Sequence, residues 1–163
     1  GGGGGANRDV YVSILGGGEP VWLTSEAGID VQPVWSPDGL YVAFLRTGQK
    51  FDEKAHLIVI PAFGGQEMEI ARVWSGLDWS PDGKSFAVCD QEGSGGANAV
   101  YLLSRNGESR FALTHPDPKR SEFDTFPKFS PDGRYIAFIR TLSGVSGDIF
   151  ICDIQNKNIR QLT

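Results

Sequence analysis

Short apolar runs, three to seven residues long and rich in β-branched and aromatic side chains, alternate along this chain with clusters of Gly, Pro, Asp, Asn and Ser. That pattern predicts short strands joined by turns. The first run is Asp9 to Leu15, followed by Gly16-Gly17-Gly18 and a second run, Val21 to Thr24. Gln32 to Ser36 and Leu40 to Arg46 come next, then a polar loop, Thr47 to Lys54, and the runs Leu57 to Ile60 and Met68 to Ala71. The order repeats as Leu77 to Trp79, Ser85 to Cys89, a loop at Gln91 to Asn98, Val100 to Leu103 and Phe111 to Thr114. It repeats again as Phe126 to Phe129, Tyr135 to Ile139, a loop at Ser143 to Gly147, Ile149 to Cys152 and Ile159 to Thr163. Runs such as Tyr41-Val42-Ala43-Phe44-Leu45 are apolar on both faces, which predicts burial on both faces, as when sheets stack. Ala43, Ala87 and Ala137 share one place in the repeat and fit close sheet-to-sheet packing.

The repeats are marked by one turn. Ser36-Pro37-Asp38-Gly39 returns as Ser80-Pro81-Asp82-Gly83 and Ser130-Pro131-Asp132-Gly133, at steps of 44 and 50 residues. Ser bonds back to the chain, Pro presets φ, Asp caps a backbone N–H and Gly takes the positive φ. Turn chemistry accounts for Asp38, Asp82 and Asp132 without a metal or acid–base role. The later half of each unit keeps one length: 13 residues separate Tyr11 from Thr24, Ile58 from Ala71, Tyr101 from Thr114 and Phe150 from Thr163. The other connections vary, as in a rigid sheet scaffold that tolerates insertions at particular corners.

Four antiparallel strands per 40–50 residues is the pattern of a β-propeller blade. The expected fold is therefore all-β: a segment of four-stranded antiparallel blades. A half blade spans 1–24 and whole blades span 32–71, 77–114 and 126–163, about three and a half blades of an incomplete ring. The remaining blades would lie outside this chain, and the first and last sheets would expose apolar faces. Gly95-Gly96-Ala97-Asn98 and Gly4-Gly5-Ala6-Asn7 each precede a third strand, so Gly1 to Gly5 is either the end of an inter-strand loop or a cloning linker.

These repeats resemble the TolB-like propeller repeat, also described as a WD40-like or PD40 repeat. The resemblance rests on a Pro, an aromatic and Ser-Pro-Asp-Gly, as in Pro33 to Gly39 and Pro127 to Gly133, and on the closing pairs Leu23-Thr24, Leu113-Thr114 and Leu162-Thr163. The second blade departs from it, with Leu77 for the Pro and Ile70-Ala71 for the closing Leu-Thr. The resemblance implies a non-catalytic scaffold that binds a protein, peptide or envelope ligand through inter-blade loops, in a periplasmic or otherwise extracytoplasmic setting. Similar propellers are gating domains of prolyl-oligopeptidase-like serine peptidases, and sensor domains appended to winged-helix regulators and Ser/Thr kinases. The long Gly-rich loops here look most like the appended group.

Composition narrows the chemistry. The net charge is −5, and the 15 basic residues form no patch, so nucleic-acid binding by this segment is not expected. No stretch approaches the roughly 20 apolar residues of a membrane-spanning helix. Cys89 and Cys152 fall in apolar strands of different repeats and read as buried free thiols, with a disulfide as the alternative. His56 and His115 lack the neighbours of a zinc site, and no cofactor is implied. Gly144-Val145-Ser146-Gly147-Asp148 only approaches a nucleophile elbow, and no catalytic motif is expected in this segment. The candidate partner-binding residues are Asp30, Trp74, Phe123 and Asp124, with Phe126 beside them. Asp30 and Asp124 each stand three residues before a Pro, in expected links between blades. Such links line one mouth of a propeller channel. The alternative role for both aspartates is to cap the link backbone. Lys119-Arg120, in the longest link, reads as a solvated charge pair with partner contact as the alternative.

Overall fold

A computed structural model describes residues 7–48, 53–93, 95–142 and 146–163. The chain divides into two compact units, residues 1–72 and 73–163. In the first, β1 (Tyr11–Val12) and β2 (Val21–Trp22) form a two-stranded sheet. Next comes a four-stranded meander of β3 (Ile29–Trp35), β4 (Tyr41–Thr47), β5 (Ala55–Pro61) and β6 (Met68–Val73), whose last residue lies across the division. The second unit holds two such meanders. One is β7 (Ser75–Trp79), β8 (Ser85–Asp90), β9 (Ala99–Ser104) and β10 (Arg110–Ala112). The other is β11 (Phe123–Phe129), β12 (Tyr135–Leu142), β13 (Ser146–Asp153) and β14 (Ile159–Gln161). In each four-stranded sheet the order in space is the order in sequence, as expected of propeller blades.

Each unit is held by one sheet laid on another. In the first, Val10, Val12 and Leu23 pack on Val42, Phe44, Ile58 and Ile60. In the second, Ala87, Val100, Leu102 and Leu113 pack on Ile136, Phe138 and Cys152. The rule is similar in both: alternate residues of the later sheet's second and third strands cover residues in and beside the earlier sheet's last two strands, joined in the second unit by Ala87 of β8. Ala87 is fully buried in this contact, which gives the small residue at that place its physical reason. β4 and β8 are buried on both faces, as their continuous apolar runs predict. β12 alternates instead, because Ala137 and Ile139 face away from the neighbouring sheet and are only half-buried.

The three marked turns are one structure built three times. Each Ser hydroxyl donates to the Asp Oδ1 two residues on, at 2.5, 2.6 and 2.5 Å. The same Asp oxygen accepts the backbone N–H of Leu40, Lys84 or Arg134. The Ser Oγ in turn accepts the N–H that opens the second strand, 2.9 Å away in all three. Gly39, Gly83 and Gly133 sit at φ of 70°, 72° and 70°. Ser104-Arg105-Asn106-Gly107 builds the same turn with Asn in place of Asp, and the repeat pattern did not reveal it. The closing threonines share another device: Thr24, Thr114 and Thr163 each accept, through Oγ1, the N–H of the residue 14 positions earlier. Where Ala71 replaces the threonine, β6 runs on to Val73 instead.

Several boundaries differ from the sequence expectation. β3 and β11 begin at Ile29 and Phe123, earlier than Gln32 and Phe126. A bulge in each first strand makes this possible. One extra residue sits between Val31 and Val34, between Ser75 and Leu77, and between Thr125 and Lys128. The residue in the left-handed region is Gln32, Gly76 or Phe126, at φ of 54°, 67° and 52°. Pro33 and Pro127 lack a ladder N–H and are accommodated at the bulge. β1 covers only two residues of the run Asp9 to Leu15; Ile14 and Leu15 are exposed beyond it. Ser146 and Gly147 belong to β13 and pair with Leu142 and Thr141, so the loop expected to end at Gly147 is shorter. Residues 143–145 of that loop, part of the Thr47 to Lys54 loop, Ser94 and the Gly1 to Gly5 tract lie outside the described residues.

Candidate partner-binding surface

The first-strand bulges bring Asp30 and Asp124 into strands, not links, and the ladder carries each beside an arginine of the second strand. Asp30 pairs in register with Arg46, and Asp124 with Arg140. Arg46 grips Asp30 through Nε and Nη2 at 2.8 and 2.9 Å, and Arg140 grips Asp124 at 2.7 and 2.9 Å. Both carboxylates have no exposed side-chain surface, and each arginine side chain is 13% exposed. These are two-point contacts between a planar guanidinium and a carboxylate. They raise both arginines further above their ordinary value, chiefly through the bonds to Asp30 and Asp124, so the cations persist throughout the accessible pH range.

Each pair is extended differently. Arg46 spans its sheet to bind Glu67 as well, at 2.7 and 2.9 Å. Asp124 accepts the Thr114 hydroxyl at 2.5 Å, which joins the two sheets of the second unit. Arg140 lies 5.5 Å from the centres of the Phe138 and Phe150 rings. At the corresponding place on β8 the charge is reversed. Buried Asp90 meets Arg110 of β10 at 2.7 Å, and that guanidinium lies 4.4 Å from the centre of the Tyr101 ring.

Asp30 and Asp124 are thus buried against arginines, and among the described residues no backbone N–H donates to either carboxylate. Their backbone amides donate to Arg8 and Asn98, tying the first strand to the loop before an earlier third strand. The sequence carries a signal for the ion pairs in its spacing: Asp and Arg are 16 residues apart in both blades.

The aromatic members of the set lie differently. Phe123 is 37% exposed and Phe126 60% exposed. Trp74 is half-buried in the one-residue link between β6 and β7, its N–H bonded to the Cys89 carbonyl. β7 and β11 pack together, and a Cβ on Gly76 would come within 2.7 Å of Pro127 Cδ. Phe126 holds its left-handed backbone where Gly76 needs no side chain. A bulky exposed residue in that region costs about 1–2 kcal/mol, a strain that accumulates at functional surfaces. Behind it, burial pushes the Cys89 thiol up to about 12, and burial also raises Cys152. Both thiols are free and buried.

Clefts open at this end of the strands in each unit. In the first unit, one of about 330 Å3 is lined by Arg46, His56, Glu67 and Glu69, with His56 Nδ1 2.9 Å from Glu69 Oε1. In the second unit, one of about 350 Å3 lies between the loop before β9 and the link after β10, against Tyr101, His115 and Pro116. That link carries a short 3-10 turn, Pro118–Arg120, capped by Asp117, and Arg120 pairs with Glu122 at 3.5 Å. Among the described residues no group of three His, Cys, Asp or Glu could hold a metal ion. Among the described residues no helix is long and apolar enough to cross a membrane.

The comparisons with known proteins agree with this architecture. The crystal structure of TolB from Acinetobacter baumannii superposes on 95% of this chain with a TM-score of 0.76 at 24% identity, over 37% of its own length. In sequence, a TolB homologue from Chlorobium chlorochromatii is 29% identical over 136 residues, covering 82% of this chain and 28% of the homologue. The chain has the fold of a TolB-like β-propeller segment. An uncharacterized peptidase of Bacillus subtilis, YuxL, is 26% identical over 176 residues, covering 85% of this chain and 25% of the peptidase. This TolB-like chain thus spans less than two fifths of the length of each protein compared. No family model matches it.

Proposed function

We propose that this TolB-like segment is part of a non-catalytic scaffold that binds a protein or peptide partner at the link end of its sheets, in an extracytoplasmic compartment. The observation that carries the reading is the division of labour around β11. Asp124 is buried and spent on Arg140 and Thr114, while Phe123 and strained Phe126 stand exposed on the same strand. Exposed aromatics on a rigid strand are the residues that anchor protein interfaces. The likeness to TolB proteins supports a propeller used for binding and is the ground for the periplasmic assignment. Asp30 and Asp124 enter as positioning residues, and direct contact falls to Phe123, Phe126 and Trp74. The test is a photo-crosslinking residue at position 126 of the full-length protein in its own cell. A discrete protein adduct that disappears on Phe123→Ser supports the reading; no adduct, or one indifferent to Phe123, contradicts it.

The resemblance to a peptidase favours a second reading, in which the segment belongs to the propeller of a serine peptidase. A fluorophosphonate probe on the full-length protein separates the two. Labelling of an active serine outside this segment supports the peptidase reading, and its absence supports the scaffold.

A further inference from the structure

The opposite end of β11 carries a cleft that the link surface does not use. It has a volume of about 460 Å3 and lies between the Ser80 and Ser130 turns, entirely within the second unit. Its apolar wall is Leu102, Phe129 and Ile154 with Pro81, and Asp82 and Asp132 stand at it from successive turns. The turns approach closely: a Cβ on Gly133 would be 3.7 Å from Pro81 Cδ. Among the described residues no lysine or arginine lines the cleft. Arg134, the neighbour of Asp132, is turned to Asp153 and to the Tyr135 ring.

The turn bonds all use one oxygen of each carboxylate. Asp82 Oδ1 takes the Ser80 hydroxyl and the Lys84 N–H, and Asp132 Oδ1 takes the Ser130 hydroxyl and the Arg134 N–H. Neither Oδ2 takes one of these bonds, although Lys84 and Arg134 lie close enough to favour the charged carboxylates. Two anions at the edge of an apolar wall match a group with an apolar stem and a cationic head. Such a group buries its methylenes and keeps its charge at the rim. A bare metal ion gains nothing from the apolar wall and needs more oxygen ligands than two turn carboxylates supply.

We propose that this inter-blade cleft binds the side chain of a lysine or arginine from a protein partner. Its stem lies on Leu102, Phe129 and Ile154, and its head lies between Asp82 and Asp132. The site is separate from the link-end surface and stands or falls without it. The Ser104 turn supplies the means of testing it, because Asn106 makes both turn bonds that the aspartates make. Asp82→Asn with Asp132→Asn therefore keeps the turns and removes only the charge.

The experiment is an NMR titration of the full-length protein with butylguanidinium and, separately, with butanol. Butylguanidinium is expected to shift the methyl signals of Leu102 and Ile154, and to bind about tenfold more weakly to D82N/D132N. Ser85→Lys, which places an ammonium in the cleft, is expected to weaken it likewise and serves if the double variant does not fold. Unchanged affinity in a folded variant, butanol binding as tightly as butylguanidinium, or no shift at these methyls would overturn the proposal.

Discussion

At the residue scale, Asp82 and Asp132 sit below their ordinary value near 3.8, in each case mainly because the Ser hydroxyl donates to the carboxylate. A carboxyl depressed in the folded state adds stability above its unfolded value and loses it as pH falls through the folded one. Both groups are solvent-exposed, so the effect is modest in size. Thermal melts from pH 6 to pH 2 should show a decline starting below about pH 4 that is smaller in D82N/D132N. Cys89 runs the other way. Its raised thiol contributes stability below the ordinary value near 9, and that contribution is lost as pH climbs toward about 12. A thiol-reactive dye should modify Cys89 and Cys152 at the unfolding rate only; rapid labelling of native protein would contradict their burial. Thr114 and Thr163 make the same closing bond, but Thr114 also donates to buried Asp124. Thr114→Val should therefore cost about 2–3 kcal/mol in denaturant melts and Thr163→Val about 1 kcal/mol or less. The turn residues were legible in the sequence because every bond they make is local. Thr114 was legible only as part of a closing pair, since its second partner is set by how two sheets meet.

At the element scale, the bulged first strand decides what each blade presents. Gly76 has a positive φ and no room for a Cβ against Pro127. Gly76→Ala combines backbone strain with overpacking and should cost about 3 kcal/mol, measured by denaturant midpoint. Phe126→Gly removes strain at the equivalent bulge and should leave the midpoint unchanged or higher. A strong loss there would mean that Phe126 is a packing residue and not a surface one. The strands, their order and the four-stranded grouping could be read from apolar runs and turn spacing. The bulge could not, because it depends on how first-strand residues align with the second strand. Without the bulge, Asp30 and Asp124 read as link residues that dock a partner or cap the link backbone, whereas the ladder sets them against Arg46 and Arg140.

At the scale of the whole molecule, the same packing rule recurs within each unit. The β7–β10 sheet offers Ala87, Val100, Leu102 and Leu113 to its neighbour. The β11–β14 sheet holds Ala137, Ile149, Ile151 and Leu162 at the same places, with Ile149 44% and Leu162 49% exposed. An apolar sheet face of this kind favours association. The segment expressed alone should sediment as oligomers, and a monomer with one sharp melt would contradict that. The central claim is that charge inside the link end holds the scaffold while aromatics outside it dock a partner. Truncating Asp124 should strand buried Arg140 and cost about 3–5 kcal/mol. The decisive measurement compares Asp124→Ala with Phe123→Ser/Phe126→Gly in the full-length protein, reading melting temperature and photo-crosslinking from position 74 together. The account predicts a lowered melting temperature for the first variant, and an unchanged melting temperature with lost crosslinking for the second. Full crosslinking in the aromatic variant, or an unaltered melt in Asp124→Ala, would contradict it.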